Sequence, residues 1–139
     1  MRTAGYSGTP LHKKLGIKPG HTVLMLGAPR EITEFLAAQE PAAEFKSRAS
    51  AKQTYEIVLY FSKSFADLKP YWKKFGALIE QNGTIWVAWP KKSSGVKTDL
   101  SEDVVRESGI RAGFVDVKVC AIDETWSGHK FVIPLKNRK

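Results

Sequence analysis

Two uninterrupted apolar runs, Thr22-Val23-Leu24-Met25-Leu26 and Glu56-Ile57-Val58-Leu59-Tyr60-Phe61, stand out against an otherwise mixed chain. Strand-length runs without polar alternation fit strands buried on both faces, as in a parallel sheet. A third strand is read over Thr84 to Trp89, entered through Asn82-Gly83, and a marginal edge strand over Ala43 to Arg48. Between the strands the spacing turns helical. Ile32, Phe35 and Leu36 mark a short helix from about Arg30 to Ala38, and Phe65, Leu68, Trp72, Phe75 and Ile79 mark a helical turn followed by a helix to about Gln81. Pro70 must fall in a first turn or at a kink, since a later proline would break the ladder.

The remaining elements follow from end signals. Thr9 and Pro10 read as the N-cap and first turn of an opening helix, 9–16, that Gly16 closes. Ser101 caps a helix running to about Ala112, with Glu102 and Asp103 complementing its dipole and Leu100 stapled onto Val105. The stretch Pro90 to Asp99 is a polar loop. Phe114 to Ile122 and Lys130 to Leu135 read as a terminal antiparallel hairpin joined by Asp123 to His129. With no repeat or linker, one domain is expected over 1–139, its sheet over 20–136 and a basic tail over 136–139. The architecture expected is α/β and three-layered, Rossmann-like, with a mostly parallel sheet and an antiparallel C-terminal hairpin.

The chain of 139 residues is long enough for a full core without staples. Its one cysteine, Cys120, lies in the run Val117 to Ile122 and has no partner for an intramolecular disulfide, so it reads as a small core hydrophobe. The opening residues lack an apolar core of signal-peptide length, and no apolar run approaches the ~20 residues that cross a bilayer. A cytoplasmic protein is expected, neither secreted nor in a membrane. The net charge of +8 favours anionic partners, whether a small molecule, an acidic protein or nucleic acid. The lysines are spread along the chain, however, and the aromatics are not interleaved with them as single-strand stacking platforms require.

In an open α/β sheet, ligands sit outside the carboxyl ends of the strands. The loops expected there are Gly27-Ala28-Pro29-Arg30, Phe61-Ser62-Lys63-Ser64, Trp89 to Gly95, and Asp123 to Ser127, with Tyr6 and Ser7 returning near the same rim. Lys91 and Lys92, with Ser93, Ser94 and Gly95, suit a phosphate, and Trp89 or Trp126 suits a stacked base. In the plainer alternative the lysines pair with Asp123 and Glu124 while the tryptophans cover the end of the core. His12, His21 and His129 fall in separate segments without metal-ligand spacing, so no metal is expected.

Taken in order, Leu15-Gly16-Ile17-Lys18-Pro19-Gly20-His21-Thr22-Val23-Leu24-Met25-Leu26-Gly27, Tyr55-Glu56-Ile57-Val58-Leu59, Gln81-Asn82-Gly83-Thr84-Ile85 and Ala112-Gly113-Phe114-Val115-Asp116-Val117 resemble the landmarks of class I methyltransferases. The resemblance implies a reduced version of that topology, since the family's third strand has no counterpart before Tyr55. It also implies a cofactor loop at Gly27. Where the family pattern has an acidic residue and further glycines, this chain has Met25, Pro29 and Glu31, and where a ribose-binding carboxylate should end the next strand it reads Phe45-Lys46-Ser47-Arg48. A proline brings a ring and removes a donor where backbone should approach a ligand. These departures count against S-adenosylmethionine as a cofactor, with Gly27 its one remaining contact. A nearer resemblance, carried by Gly5-Tyr6-Ser7-Gly8-Thr9-Pro10-Leu11, Trp89-Pro90-Lys91-Lys92 and Val119 to Ser127, is to an uncharacterised bacterial family, the domain of unknown function numbered three-zero-five-two. The function expected from this reading is a non-catalytic binding or interaction module with a basic, tryptophan-bearing rim. The alternatives are a methyltransferase or other small transferase with an atypical pocket, and a nucleic-acid-binding protein.

Overall fold

The computed structural model describes residues 8–139. Six strands form one sheet in the order β2-β1-β3-β4-β6-β5, with β1 Thr22–Leu26, β2 Glu44–Lys46, β3 Tyr55–Phe61, β4 Ile79–Pro90, β5 Val115–Ala121 and β6 Trp126–Val132. β2, β1, β3 and β4 are mutually parallel, whereas β6 runs antiparallel between β4 and β5. The helices are α1 Leu11–Lys14, α2 Arg30–Gln39, α3 Phe65–Leu68, α4 Trp72–Leu78 and α5 Glu102–Arg111. This is the expected three-layer, Rossmann-like fold.

Each sheet face has its own core. Leu24, Val58, Tyr60, Ile85, Val87 and Phe131 pack against Leu68, Trp72 and Phe75 of the α3–α4 segment and Val105 of α5. On the other face Val23, Met25, Ile57, Leu59 and Trp86 pack against Leu11 of α1 and Ile32 and Leu36 of α2. The continuous apolar stretches 23–26 of β1 and 57–61 of β3 follow from this, because successive residues alternate between two covered faces. Trp86 is fully buried, and its indole N–H donates to the Leu15 carbonyl at 3.1 Å, which ties the end of α1 to the sheet. Ser101 caps α5 as expected, its hydroxyl accepting from the Val104 N–H.

Four boundaries differ from the sequence reading. α1 is one turn, Leu11–Lys14, and its N-cap is Pro10 rather than Thr9; the Pro10 carbonyl accepts from Lys13 and Lys14. α4 stops at Leu78, and the chain becomes extended from Ile79, so Asn82-Gly83 lies inside β4 as an irregularity where pairing jumps from Tyr55–Ile79 to Ile57–Thr84. Gly83 is required there, since a Cβ would stand 3.0 Å from the carbonyl oxygens of Glu56 and Glu80. β6 begins at Trp126, not Lys130, so His129 is a strand residue paired with Val87 and Val119. After β6 the chain makes a 3₁₀ turn, Leu135–Asn137, in place of an extended strand. Cys120 is only half-buried in β5, and burial pushes its thiol pKa up.

Candidate functional site

The chain leaves β1 towards α2 on one face and leaves β3 towards α3 on the other. The two connections diverge, and in an open α/β sheet the crevice at such a switch point is where ligands bind. A cleft of about 370 Å³ lies there, lined by Gly27, Ala28 and Pro29 after β1, Tyr60 to Lys63 at the end of β3, Asp67 of α3, and Trp126.

Its walls are set by local hydrogen bonds. Gly27 has a φ of +67°, a conformation in which a side chain is strained. Pro29 is the N-cap of α2 at φ −57°, and its carbonyl accepts from Ile32 and Thr33. There its missing N–H breaks no helical bond, and the free N-terminus of α2 is presented to the cleft side. On the other wall Ser64 caps α3 by accepting from the Asp67 N–H, and Ser62 is folded into the same turn through bonds to Ser64. These contacts place Asp67, an exposed first-turn residue of α3, on the cleft's lining. Tyr60 donates to the Asp67 carbonyl at 3.2 Å, and burial pushes its phenol pKa up. Trp126, largely buried, meets Phe61 edge-to-face at 5.0 Å and forms the end wall.

Trp126 is held by Asp123. The buried Asp123 carboxylate accepts from the backbone N–H groups of Thr125 at 2.8 Å and Trp126 at 2.7 Å, an Asx turn that starts β6. It is therefore part of the scaffold. Lys91 joins the two loops through its backbone N–H, which donates to the Thr125 carbonyl at 2.7 Å.

A second, larger cavity of about 680 Å³ adjoins on the α5 side, lined by Trp89 to Lys92, Gly95 to Glu102 and Ser127. The Thr98 hydroxyl donates to the Lys63 carbonyl and the Asp99 carboxylate accepts from the Phe65 N–H, so the 96–100 segment bridges the two spaces. Lys91, Lys92 and Lys97 border this cavity, and none of them forms an ion pair among the described residues. The pairing of Lys91 or Lys92 with Asp123 or Glu124 is thus not formed. Ser94 is spent within its loop, donating to the Lys91 carbonyl and accepting from the Val96 N–H.

Of the residues singled out from sequence, Gly27 and Trp126 meet at the smaller cleft, and Trp89, Lys91 and Lys92 at the larger. Arg30 is not with them: it is exposed on α2 and paired with Glu34 at 2.7 Å. Ser93 and Glu124 are exposed and line neither space, while Tyr6 and Ser7 lie outside the described residues. Asp67 and Lys97 were not anticipated. The signal for Asp67 was present, since Ser64-Phe65-Ala66-Asp67 has the spacing of a capped first turn. No group of three His, Cys, Asp or Glu side chains among the described residues is arranged to hold a metal. No helix there is long and apolar enough to cross a membrane.

No family model matches the chain, and no curated protein sequence matches it. Solved structures do. A SAM-dependent methyltransferase from Aquifex aeolicus superposes with a TM-score of 0.60 at 14% identity, over 88% of this chain and 87% of that one. The glycopeptide N-methyltransferase MtfA gives 0.58 at 11% identity over 88% and 90%, in structures complexed with sinefungin and with S-adenosyl-L-methionine. The magnesium protoporphyrin IX methyltransferase of Synechocystis PCC 6803, with bound SAH, gives 0.57 at 11% over 84% and 75%. The fold is that of the class I methyltransferases.

These neighbours overturn the reading against S-adenosylmethionine as a cofactor, and the geometry gives the reason. A glycine count misjudged the β1 loop. Gly27 alone supplies the positive φ and the close approach, and Pro29 occupies a helix N-cap that suits it. The end of β2 is Lys46, paired with Glu44 at 2.7 Å, and the acidic residue that lines the cleft is Asp67 on the opposite wall.

Proposed function

We propose that this chain is a methyltransferase-type domain that binds S-adenosylmethionine in the smaller cleft and receives an anionic methyl acceptor in the larger one. The observation that carries this reading is the position of the 370 Å³ cleft at the divergence of β1 and β3. Its volume falls within the range of about 300–1,000 Å³ typical of small-molecule sites.

The residues present suit the cofactor. The backbone of Gly27 to Pro29 and the α2 N-terminus favour a carboxylate. The Asp67 carboxylate accepts from hydroxyl or ammonium groups, and Trp126 and Tyr60 offer ring surface to a base. When bound, the cofactor's sulfonium supplies an electrophilic methyl group. The chain's own part is to orient the acceptor: Lys91, Lys92 and Lys97 attract its anionic group, while the Thr98 and Asp99 bonds keep the shared wall in place. The membership in the uncharacterised bacterial family belongs to the same proposal.

The test is the unfolding of the purified protein with and without S-adenosylmethionine and S-adenosylhomocysteine. At 100 times its dissociation constant a ligand stabilises by about 2.7 kcal/mol, read as a rise of several degrees in Tm. An Asp67→Ala variant should lose most of that rise. A melt unmoved by millimolar cofactor would overturn the reading.

A further inference from the structure

At the opposite, amino-terminal end of the sheet a separate cavity of about 280 Å³ is bordered by Lys18, His21, Glu56, Asn82, Thr84 and Lys130. Five segments contribute: the end of α1 at Leu15 and Gly16, the turn before β1, β3, the irregular entry to β4, and β6. The displaced pairing around Asn82-Gly83 opens the space between β4 and its neighbours.

The polar groups here are mismatched. The Thr84 Oγ1 is enclosed and has no hydrogen-bond partner. Lys130 is half-buried opposite the fully buried Trp86, and it forms no ion pair among the described residues. Burial and the nearby Lys118 ammonium both push the Lys130 pKa down, with no carboxylate acting to raise it. Glu56 lines the same cavity but forms no ion pair with Lys130; its Oε1 accepts from the Thr22 N–H. His21 Nδ1 accepts from the Lys18 N–H at 3.2 Å, which in the neutral ring leaves the proton on Nε2 as a donor. Lys18 also forms no ion pair among the described residues. Lys18, His21, Asn82, Thr84 and Lys130 therefore border a space in which Glu56 is the one acidic residue.

From this excess of donors and positive charge we propose that the amino-terminal cavity is a phosphate-group site, distinct from both rim clefts, that takes inorganic phosphate or a small phosphomonoester. A phosphate accepts through several oxygens, partners the enclosed hydroxyl and neutralises the desolvated ammonium. The volume lies just below that of drug-sized ligand pockets, which suits a phosphate with a few carbons attached. The inference does not depend on methyl transfer, because the site lies at the other end of the strands.

Calorimetric titration of the full chain with inorganic phosphate and with ribose 5-phosphate, at ionic strength fixed with chloride, tests it. Saturable binding is expected, weakened about tenfold in Lys130→Met and several-fold in Thr84→Val, and unchanged in Lys136→Met, an exposed lysine outside the three cavities; a Lys91→Met/Lys92→Met variant identifies any separate binding at the larger rim cavity. Each variant's melt establishes that it is folded, and Thr84→Val keeps the test decisive if Lys130→Met is not. Tighter binding of ribose 5-phosphate supports the site and assigns it to a phosphomonoester; equal binding supports it and assigns it to the free ion. Binding that chloride reproduces, or that disappears with Lys91 and Lys92 but survives Lys130→Met and Thr84→Val, would overturn the proposal.

Discussion

Gly27 passes so close to Phe61 that a Cβ built on it would stand 2.8 Å from the Phe61 carbonyl oxygen. The two residues follow the last register pair of β1 and β3, Leu26 with Tyr60, and line the floor of the smaller cleft. The contact is with backbone, so no side-chain rotation relieves it.

Gly27→Ala is therefore expected to act on both stability and binding. The left-handed conformation costs about 1–2 kcal/mol for a non-glycine residue, and the clash adds to it by pushing the strand ends apart. Denaturant unfolding should show a loss of at least about 1 kcal/mol, and cofactor affinity should fall by tenfold or more. Wild-type stability with wild-type binding would mean that the loop does not form the cleft floor.

The strands β1 and β3 and the capped start of α5 were legible because their signals are local: an unbroken apolar run, or a serine before two acids. The lost boundaries depend on partners distant in sequence. Nothing around Trp126 to His129 reads as a strand, yet pairing with Val87 to Pro90 makes it one, and Asp123 fixes where it starts. Gly128 belongs in that strand because a Cβ would stand 3.0 Å from Ile122 and 3.2 Å from Trp86. The carboxyl rim was legible through Gly27, Trp89, Lys91, Lys92 and Trp126. Asp67 reads only as a first-turn acid after the Ser64 cap, and its place at the cleft comes from the divergence of two connections.

Two helical glycines should respond in opposite directions to alanine. In α4 a Cβ on Gly76 would find its nearest neighbour, Phe114, at 4.0 Å, so Gly76→Ala should stabilise by up to about 1 kcal/mol through helix propensity. In α5 a Cβ on Gly109 would stand 2.3 Å from the ring of Phe131, which is fully buried and set edge-to-face against Trp72 at 5.1 Å. Overpacking costs of about 1–3 kcal/mol outweigh the propensity gain, and Gly109→Ala should lower stability. Paired urea curves check both signs, and a stabilised Gly109→Ala would place α5 farther from β6 than described.

His129 links stability to pH. Its ring is 2% exposed, stacked on Phe131 at 4.6 Å, and neither ring nitrogen has a hydrogen-bond partner. The Asp116 carboxylate of β5 lies 3.7 Å from Nε2 and is engaged by Arg106 of α5 at 3.1 Å; Glu102 of the same helix also acts on the ring. Burial lowers the His129 pKa, the Arg106 charge reinforces that, and Asp116 and Glu102 oppose it without reversing it. Between the lowered folded value and the usual value near 6.5, the unfolded chain binds more protons than the folded one, so stability rises with pH across that interval. Above it the ring is neutral in both states and contributes no slope; as pH falls below 6.5 the folded state loses ground until its own pKa is passed. His129→Leu removes this contribution while keeping an apolar group on Phe131. Unfolding free energies measured from pH 4.5 to 8 should show the wild type losing more stability on acidification than the variant, with the gap opening below about pH 6.5. Parallel curves would show that His129 gains as much from Asp116 and Glu102 as burial takes away.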